Sequence, residues 1–180
     1  ISTDSDIYIY NIGTRETKNL CKPEGYVEPE IDPTTSMKYQ KVNAPENLKN
    51  NVGYDTNPKF SSDGKYVAWL SMERNGYEAD RNRLCCYDLG TGEKKYLTES
   101  FDSNVDDFVW SDSKDAMIYF IGVWHATENL YAVNWKGELK QMTETWDDFG
   151  SIHLMNNGTQ LLMERHNFTS PADLYIITTT

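Results

Sequence analysis

The stretch from Asn57 to Trp69 reads NPKFSSDGKYVAW and decides the fold. Its centre, Ser61–Gly64, is a polar turn with β-prone residues on both sides. Asp-Gly between such flanks is among the strongest short-range signals for a β-hairpin, because glycine supplies the positive φ that tight turns need. The stretch therefore predicts two antiparallel strands joined at Gly64.

The same pattern recurs further along the chain. Segments that open with an aromatic residue followed by Asp begin at Tyr54, Phe101 and Trp146, which are 47 and 45 residues apart. Four short strands in each 40–50 residues are typical of a β-propeller blade. The predicted fold class is all-β: a partial β-propeller with four-stranded antiparallel blades of about 45 residues. A β-sandwich is the alternative, but it does not explain why the second half also repeats in phase, with Leu97–Glu99 matched by Met142–Glu144.

The repeat divides the chain into segments. We assign residues 1–22 to the end of one blade, 54–100 and 101–145 to two complete blades, and 146–180 to most of another. Residues 23–53 hold four of the six prolines and are interpreted as an inserted, mostly irregular segment, with an ordered arm along the propeller's side as the alternative. Because a propeller protects its strand edges by closing into a ring, we expect an open arc to self-associate or to be poorly soluble.

The charge of the chain excludes two classes of partner. The formal net charge is −11, from 28 acidic and 17 basic residues. Binding to nucleic acid or to an anionic membrane surface needs clustered basic residues instead. The longest apolar run, Ala116–Trp124, has nine residues, far fewer than the roughly 20 that a spanning helix requires. We therefore expect no nucleic-acid partner and no membrane span.

The sequence predicts neither a metal nor a cofactor. Cys21, Cys85 and Cys86 form no CxxC pair, which argues against a zinc site and favours packed, reduced thiols. The acidic pairs Asp106–Asp107 and Asp147–Asp148 lack the alternating oxygen ligands of a calcium loop. Turn or capping roles explain these pairs better.

Two motifs carry a family resemblance. Asn57–Trp69 resembles the N-P-x-F-S-P-D-G-K-x-(I/V)-A-(W/F) hallmark of TolB-like and prolyl oligopeptidase-family propeller repeats, with Ser62 in place of the commoner Pro. Met72–Leu84, which reads MERNGYEADRNRL, resembles the propeller of S9-family dipeptidyl and acylaminoacyl peptidases, particularly the dipeptidyl-peptidase 5-like branch. At the level of blades, the resemblance extends over essentially the whole chain.

This resemblance implies a periplasmic or secreted bacterial serine peptidase as the parent protein. In that family a seven- or eight-bladed propeller caps an α/β-hydrolase domain that carries Ser, Asp and His, and an oligopeptide with a free N-terminus is held between them. The present sequence contains no G-x-S-x-G nucleophile elbow. We therefore assign no catalytic residue and expect the fragment alone to be catalytically inert. The sequence shows no nucleophile motif for which His125, His153 or His166 could act as the base.

The resemblance also suggests how substrate is anchored. Tyr77-Glu78 looks like part of the Tyr-Glu-Glu segment that binds the substrate's amino terminus in dipeptidyl peptidase IV relatives, with Ala79 where the second Glu would stand. A carboxylate there would pair with the ammonium group. The competing interpretation, which we favour, is an exposed ion pair between Glu78 and Arg81 or Arg83.

The candidate substrate-binding residues occupy equivalent loops between the second and third strands of successive blades. Such loops meet at one end of a propeller, so these residues can line one cavity mouth, although packing at the blade edge also explains the aromatic ones. The candidates are Tyr77, Glu78, Asp80, Arg81 and Arg83 in one blade and Trp124 and His125 in the next. The third such loop holds His166–Phe168. Trp69, Trp110 and Trp135 are predicted to lie in strands and to pack between blades.

The function predicted is to gate and position oligopeptides for an α/β-hydrolase domain outside this chain. A TolB-like propeller that acts as a protein–protein interaction module is the first alternative, and a propeller that binds a glycan or metabolite is the second. The gene downstream discriminates them, because a G-x-S-x-G element followed by Asp and His supports the peptidase.

Overall fold

The computed structural model describes residues 5–22, 53–74, 79–112 and 116–179. Within these ranges every regular element is a β-strand, and no helix there is long and apolar enough to cross a membrane. The strands are β1 (Tyr8–Tyr10), β2 (Thr17–Asn19), β3 (Asp55–Phe60), β4 (Tyr66–Ser71), β5 (Arg83–Asp88), β6 (Lys94–Tyr96), β7 (Val105–Trp110), β8 (Ile118–Trp124), β9 (Thr127–Val133), β10 (Leu139–Gln141), β11 (Asp148–Met155), β12 (Gln160–Asn167) and β13 (Ser170–Thr178).

The strands form four sheets in which neighbours in the chain are neighbours in the sheet. Their orders are β1-β2, β3-β4-β5-β6, β7-β8-β9-β10 and β11-β12-β13. Successive four-stranded meanders of this kind are the architecture of propeller blades. The predicted all-β class and partial propeller are confirmed. The predicted insertion at 23–53 lies outside the described residues except for Gly53, and the segment boundaries stay a prediction.

The chain forms two compact units. The first comprises Ile1–Asn57 and Leu70–Arg81, and the second comprises Pro58–Trp69 and Asn82–Thr180. In the first unit, the segment before β1 joins the start of β3: Ser5 forms a parallel bridge with Tyr54, and the Asp55 N–H donates to the Ser5 carbonyl oxygen at 3.0 Å. This bridge fixes the β1-β2 hairpin against residues far away in sequence.

The hairpin turn predicted at Ser61–Gly64 is present in the second unit. The Ser61 N–H donates to the Tyr66 carbonyl at 2.9 Å, and Gly64 has a φ of 68°. The Asp63 carboxylate accepts from the Ser61 hydroxyl at 2.8 Å and from the Lys65 N–H at 3.1 Å. Hydrogen bonds from Lys65 lower the pKa of Asp63 to about 2. The polar residues of the motif therefore stabilise the turn by hydrogen bonds to one another.

Aromatic rings link successive sheets within the second unit. Tyr66 stacks on Trp110, with ring centroids 6.1 Å apart, and the Trp110 indole N–H donates to the Lys59 carbonyl at 2.9 Å. Trp135 also packs on Tyr66, at 5.1 Å. These contacts couple the hairpin motif to the following blade.

The prediction that Trp135 lies in a strand is wrong. Strand β9 ends at Val133, and a turn follows in which the Gly137 N–H donates to the Asn134 carbonyl at 2.9 Å. Gly137 has a φ of 80°, a conformation that glycine adopts at little cost. The turn ends the strand before Trp135, and its ring reaches Tyr66 from the loop instead.

Strand β8 is buried on both faces. Phe120 stacks on Tyr131 at 5.3 Å, and Phe101 meets Phe120 edge-on at 5.4 Å. A Cβ atom on Gly122 would come within 2.7 Å of the Phe101 ring, so a larger residue there would have to displace that ring. On the opposite face a second core lies between the β7–β10 and β11–β13 sheets, made of Tyr119, Ile121, Leu130, Ala132, Phe149, Ile152, Leu161 and Met163.

The Phe120 face of β8 gives a direct test of the packing. Replacing the fully buried Phe120 by Ala should lower the free energy of unfolding by about 3–5 kcal/mol. The variant loses the transfer free energy of the buried ring, and the cavity left behind destabilises the folded state further. The matched control is Phe168→Ala at a fully exposed ring, which should change it by less than about 0.5 kcal/mol. Urea unfolding measures both, and similar losses in the two variants would contradict the assigned core.

Candidate functional site

The β8-β9 hairpin presents two aromatic side chains at its tip. Trp124 pairs with Thr127 across the hairpin, and the two residues between them, His125 and Ala126, have φ values of 49° and 66°. Two-residue hairpin turns of the primed types require positive φ, which non-glycine residues adopt only at a cost of about 1–2 kcal/mol each. This strained turn places the His125 ring edge-on against Trp124, with centroids 4.4 Å apart.

Trp146 completes what we call the aromatic rim, defined as Trp124, His125 and Trp146. The Trp146 ring lies 5.6 Å from Trp124 and 6.3 Å from His125, yet 71% of Trp146 is exposed to solvent. A large exposed aromatic surface is unusual on a domain that needs it only for packing, since most of its burial energy is unused. Such a surface can take an apolar side chain or a cation.

Asn129 holds the rim together, although sequence reasoning missed it. Its side chain is fully buried. The amide donates to the Thr127 hydroxyl at 3.0 Å and to the Thr145 carbonyl at 3.2 Å, and its oxygen accepts from the Thr143 hydroxyl at 2.9 Å and the Thr145 N–H at 3.1 Å. These bonds fasten the segment before Trp146 to the hairpin that carries Trp124.

The repeated Thr-Glu pair was the signal that could have revealed this network. The Thr143 hydroxyl accepts from the Leu130 N–H at 2.9 Å. In the preceding blade, the Thr98 hydroxyl accepts from the Leu84 N–H at the same distance. The threonine therefore recurs because, in each blade, it binds the backbone of the third strand.

Three carboxyl groups and one imidazole lie beside the rim and are called here the acidic cluster: Asp106, Glu128, Asp148 and His166. Asp148 accepts from the Glu128 N–H at 2.9 Å, and its other oxygen lies 3.7 Å from His166 Nε2. Burial raises the pKa of Asp106. Burial, followed by repulsion from Asp106 and Asp148, raises the pKa of Glu128. A positive charge placed next to the cluster would therefore stabilise its ionised carboxylates.

The β12-β13 hairpin is tied to the same region of the second unit. The Asn167 side-chain amide donates to Asp147 at 2.6 Å, and the Arg165 guanidinium lies 3.9 Å from the other Asp147 oxygen. Arg165 also covers the Tyr175 ring at 4.3 Å. Asp147 and Asp148 thus anchor, within their own sheet, the end of the β12-β13 hairpin that carries His166 and the exposed Phe168.

In the first unit, Asp80 closes the loop that precedes β5. The Arg74 Nε lies 3.1 and 3.0 Å from the two Asp80 carboxylate oxygens, and the Arg74 backbone N–H donates to Asp80 at 2.9 Å. Only 6% of the Asp80 side chain is exposed. Arg81 follows and is half-buried. Tyr77 and Glu78 lie outside the described residues.

Arg83 is placed inside its own sheet, within the second unit. The residue is buried, its NH1 atom lies 3.2 Å from Glu99, and its guanidinium covers the Tyr96 ring at 4.3 Å. Of the seven predicted substrate-binding residues, Trp124 and His125 are shown in contact with each other. The substrate-binding roles of all seven stay predictions.

Comparison with known proteins identifies the family. A family model described as the dipeptidyl peptidase IV (DPP IV) N-terminal region matches residues 34–172. The chain belongs to this family. It is 39% identical over 177 residues to dipeptidyl-peptidase 5 of Porphyromonas gingivalis, and 39% identical over 178 residues to that of Porphyromonas endodontalis. These alignments cover 97% and 98% of this chain but 21% of each relative, so the chain spans about a fifth of their length.

Solved structures of distant sequence show the same fold as this DPP IV N-terminal region. The β-propeller domain of the Trilobed protease from Pyrococcus furiosus aligns with a TM-score of 0.57 at 18% identity, over 95% of this chain and 40% of that one. A putative TolB from Agrobacterium tumefaciens aligns with a TM-score of 0.56 at 16% identity, over 73% and 47% of the two chains. Both likenesses support the propeller assignment.

The acidic cluster predicts a pH dependence of stability. Because the pKa of Glu128 is raised in the folded state, folding holds its proton more tightly than the unfolded chain does. The protein therefore loses stability as the pH rises from the ordinary pKa of glutamate through the raised pKa of Glu128. Glu128→Gln should remove this loss and stabilise the protein at pH 7, by no more than about 0.5 kcal/mol for such a solvent-screened group.

Thermal unfolding between pH 4 and pH 8 measures this effect. Glu164→Gln, at an exposed position on β12, is the matched control and should leave the pH profile as it is in the unaltered protein. A Glu128→Gln variant that is less stable at pH 7 and unchanged at pH 4 would show that the carboxylate is favourably bound, against the assigned direction.

Proposed function

We propose that this chain is the non-catalytic propeller region of a dipeptidyl peptidase, and that it gates and positions oligopeptides with a free amino terminus. The observation that carries the proposal is the aromatic rim beside the acidic cluster at one end of the second unit. Membership of the DPP IV N-terminal family and likeness to relatives named dipeptidyl-peptidase 5 support it.

The chemistry of the rim suits a peptide. Exposed Trp146 and half-buried Trp124 offer faces for an apolar side chain, which gains contact area with little loss of rotamer freedom. A peptide ammonium beside Glu128 and Asp148 would relieve their mutual repulsion and form charge-assisted hydrogen bonds. The formal net charge of −11 attracts positively charged groups at longer range.

Hydrolysis is proposed to take place on an α/β-hydrolase domain elsewhere in the whole protein. The 180 residues contain no G-x-S-x-G element, so the strained turn that exposes a nucleophilic serine must be supplied by another segment. A periplasmic or secreted location belongs to the same proposal and has the family resemblance as its support. The sequence of the gene after this chain is the direct test of the hydrolase.

The rim gives the first functional prediction. In the full-length enzyme, Trp146→Ala should raise KM for a dipeptidyl substrate about three- to tenfold, since an aromatic contact contributes roughly 0.5–1.5 kcal/mol. Tyr10→Ala, at another exposed aromatic residue, is the matched control and should leave KM unchanged. Steady-state kinetics measure both, and equal KM values for the two variants would remove the rim from the substrate path.

The predicted amino-terminal anchor is tested separately. Glu78→Gln should lower kcat/KM for substrates with a free amino terminus at least about tenfold, because a lost ammonium–carboxylate bond costs about 1.5 kcal/mol or more. Glu93→Gln, in the β5-β6 turn where Glu93 pairs with Lys95 at 3.2 Å, should have no effect. Unchanged turnover in Glu78→Gln would favour the alternative, in which Glu78 forms an ion pair within its own loop.

A TolB-like interaction module makes a different prediction for the same variants. If the rim binds a protein partner instead of a peptide substrate, Trp146→Ala leaves peptide hydrolysis unchanged in the full-length protein. The kinetic measurement therefore separates the two functions even while the protein partner is unidentified.

A further inference from the structure

We propose that Asp6, Cys21 and Asp55 form a binding site for a divalent transition-metal ion of the zinc class. The three residues lie in the first unit and are called here the Asp-Cys-Asp site. The Cys21 sulfur and one oxygen from each carboxylate all lie within 4.8 Å of one another. This inference concerns residues to which the proposed peptide-binding function assigns no role.

Backbone pairing brings the three donors together from distant parts of the sequence. Asp6 lies two residues before β1, Cys21 lies two residues after β2, and Asp55 opens β3. The Leu20 N–H donates to the Ile7 carbonyl at 2.9 Å, which closes the β1-β2 hairpin beside Cys21. The Ser5–Tyr54 bridge holds β3 alongside. The site therefore stands on strand ends that are fixed before any ligand arrives.

Asp6 supplies the observation that points to a ligand. Its Oδ2 atom accepts from the Asn19 side-chain amide at 2.7 Å and pairs with Lys22 Nζ at 3.0 Å. Its Oδ1 atom is buried and has no hydrogen-bond partner among the residues that the structure describes, while only 8% of the side chain is exposed. Buried carboxylate oxygens without partners are costly and uncommon, so this one calls for an explanation. A metal ion bound at Oδ1 explains it, with Oδ2 held in place by Asn19 and Lys22.

The donor spacing suits a small ion. Zinc binds cysteine sulfur at about 2.3 Å and carboxylate oxygen at about 2.0–2.2 Å, so a sulfur and an oxygen on one tetrahedral ion lie about 3.6 Å apart. The three donor atoms lie within 4.8 Å of one another, so side-chain shifts on the order of 1 Å would let them share one ion. The three donors fill three positions of a tetrahedral site and leave the fourth for water or another ligand.

The donor chemistry selects the class of metal. A thiolate is a soft ligand that favours Zn²⁺ and similar ions over Ca²⁺ and Mg²⁺, which prefer all-oxygen sites. Cysteine binds a metal ion as the thiolate. Binding breaks the S–H bond, forms the metal–sulfur bond and releases that proton to solvent.

The experiment uses Co²⁺ as a spectroscopic probe and Zn²⁺ as its competitor, on the full-length protein. Co²⁺ bound to a thiolate gives a sulfur-to-metal charge-transfer band in the near ultraviolet. We expect this band at one Co²⁺ per protein, its loss in Cys21→Ser, and displacement by Zn²⁺. Asp6→Asn should weaken the affinity for Zn²⁺ at least tenfold.

The matched control is Cys86→Ser, another buried thiol, for which burial raises the pKa to about 12. Its Co²⁺ band should remain. Alkylation of the unaltered protein gives a measurement that needs no variant to fold: Zn²⁺ should slow the modification of Cys21 and leave that of Cys86 unchanged. Absence of a charge-transfer band, a band that persists in Cys21→Ser, or equal protection of both thiols would overturn the proposal. Peptidase activity is not read in any of these assays, so the proposed function can fail independently.

Discussion

The rest of the second unit depends on strands that are covered on both faces. In β8, four consecutive residues from Ile118 to Ile121 are buried, and β5 and β9 contain similar runs at Leu84–Cys86 and Leu130–Val133. A sheet buried on both sides loses the usual alternation of apolar and polar residues. Each blade therefore needs a neighbour. The Phe101 ring, from the segment between β6 and β7, packs directly over Gly122 of β8. The burial of each sheet between neighbours therefore both stabilises the fold and requires that the blade be repeated.

Because the strands are closely packed, the side chains that are free to bind a ligand lie in the loops at the strand ends. The β8-β9 turn contains two strained residues, and a buried amide, Asn129, fixes that turn to the segment that carries Trp146. A fully satisfied buried polar network specifies one geometry, because any other arrangement leaves a buried donor or acceptor unpaired. The exposed rings of the rim are thus held by hydrogen bonds beneath them. Precise placement of this kind is what a surface needs if it is to hold a peptide in one orientation.

Local signals predicted the fold well. The Asp63-Gly64 turn and the recurrence of Tyr54, Phe101 and Trp146 were sufficient for the all-β propeller, since turn chemistry and strand propensity act over a few residues. Trp135 was misplaced because apolar character does not distinguish the end of a strand from the turn that follows. Asn129 was missed for a different reason. A buried, fully bonded asparagine looks like any polar residue until its partners are known, and three of its four hydrogen bonds are to residues 14 to 16 positions away.

The sequence by itself determined the class of fold, the blade period and the family resemblance, because each depends on residues that are adjacent or regularly spaced. Only the tertiary structure decided which distant side chains meet. It joined Trp146 to the rim, and it gathered Asp6, Cys21 and Asp55 from three strand ends. It also turned Arg83 inward to Glu99 and Tyr96. Strand pairing sets these contacts, and the residues next to a strand end in sequence do not show which strand it pairs with.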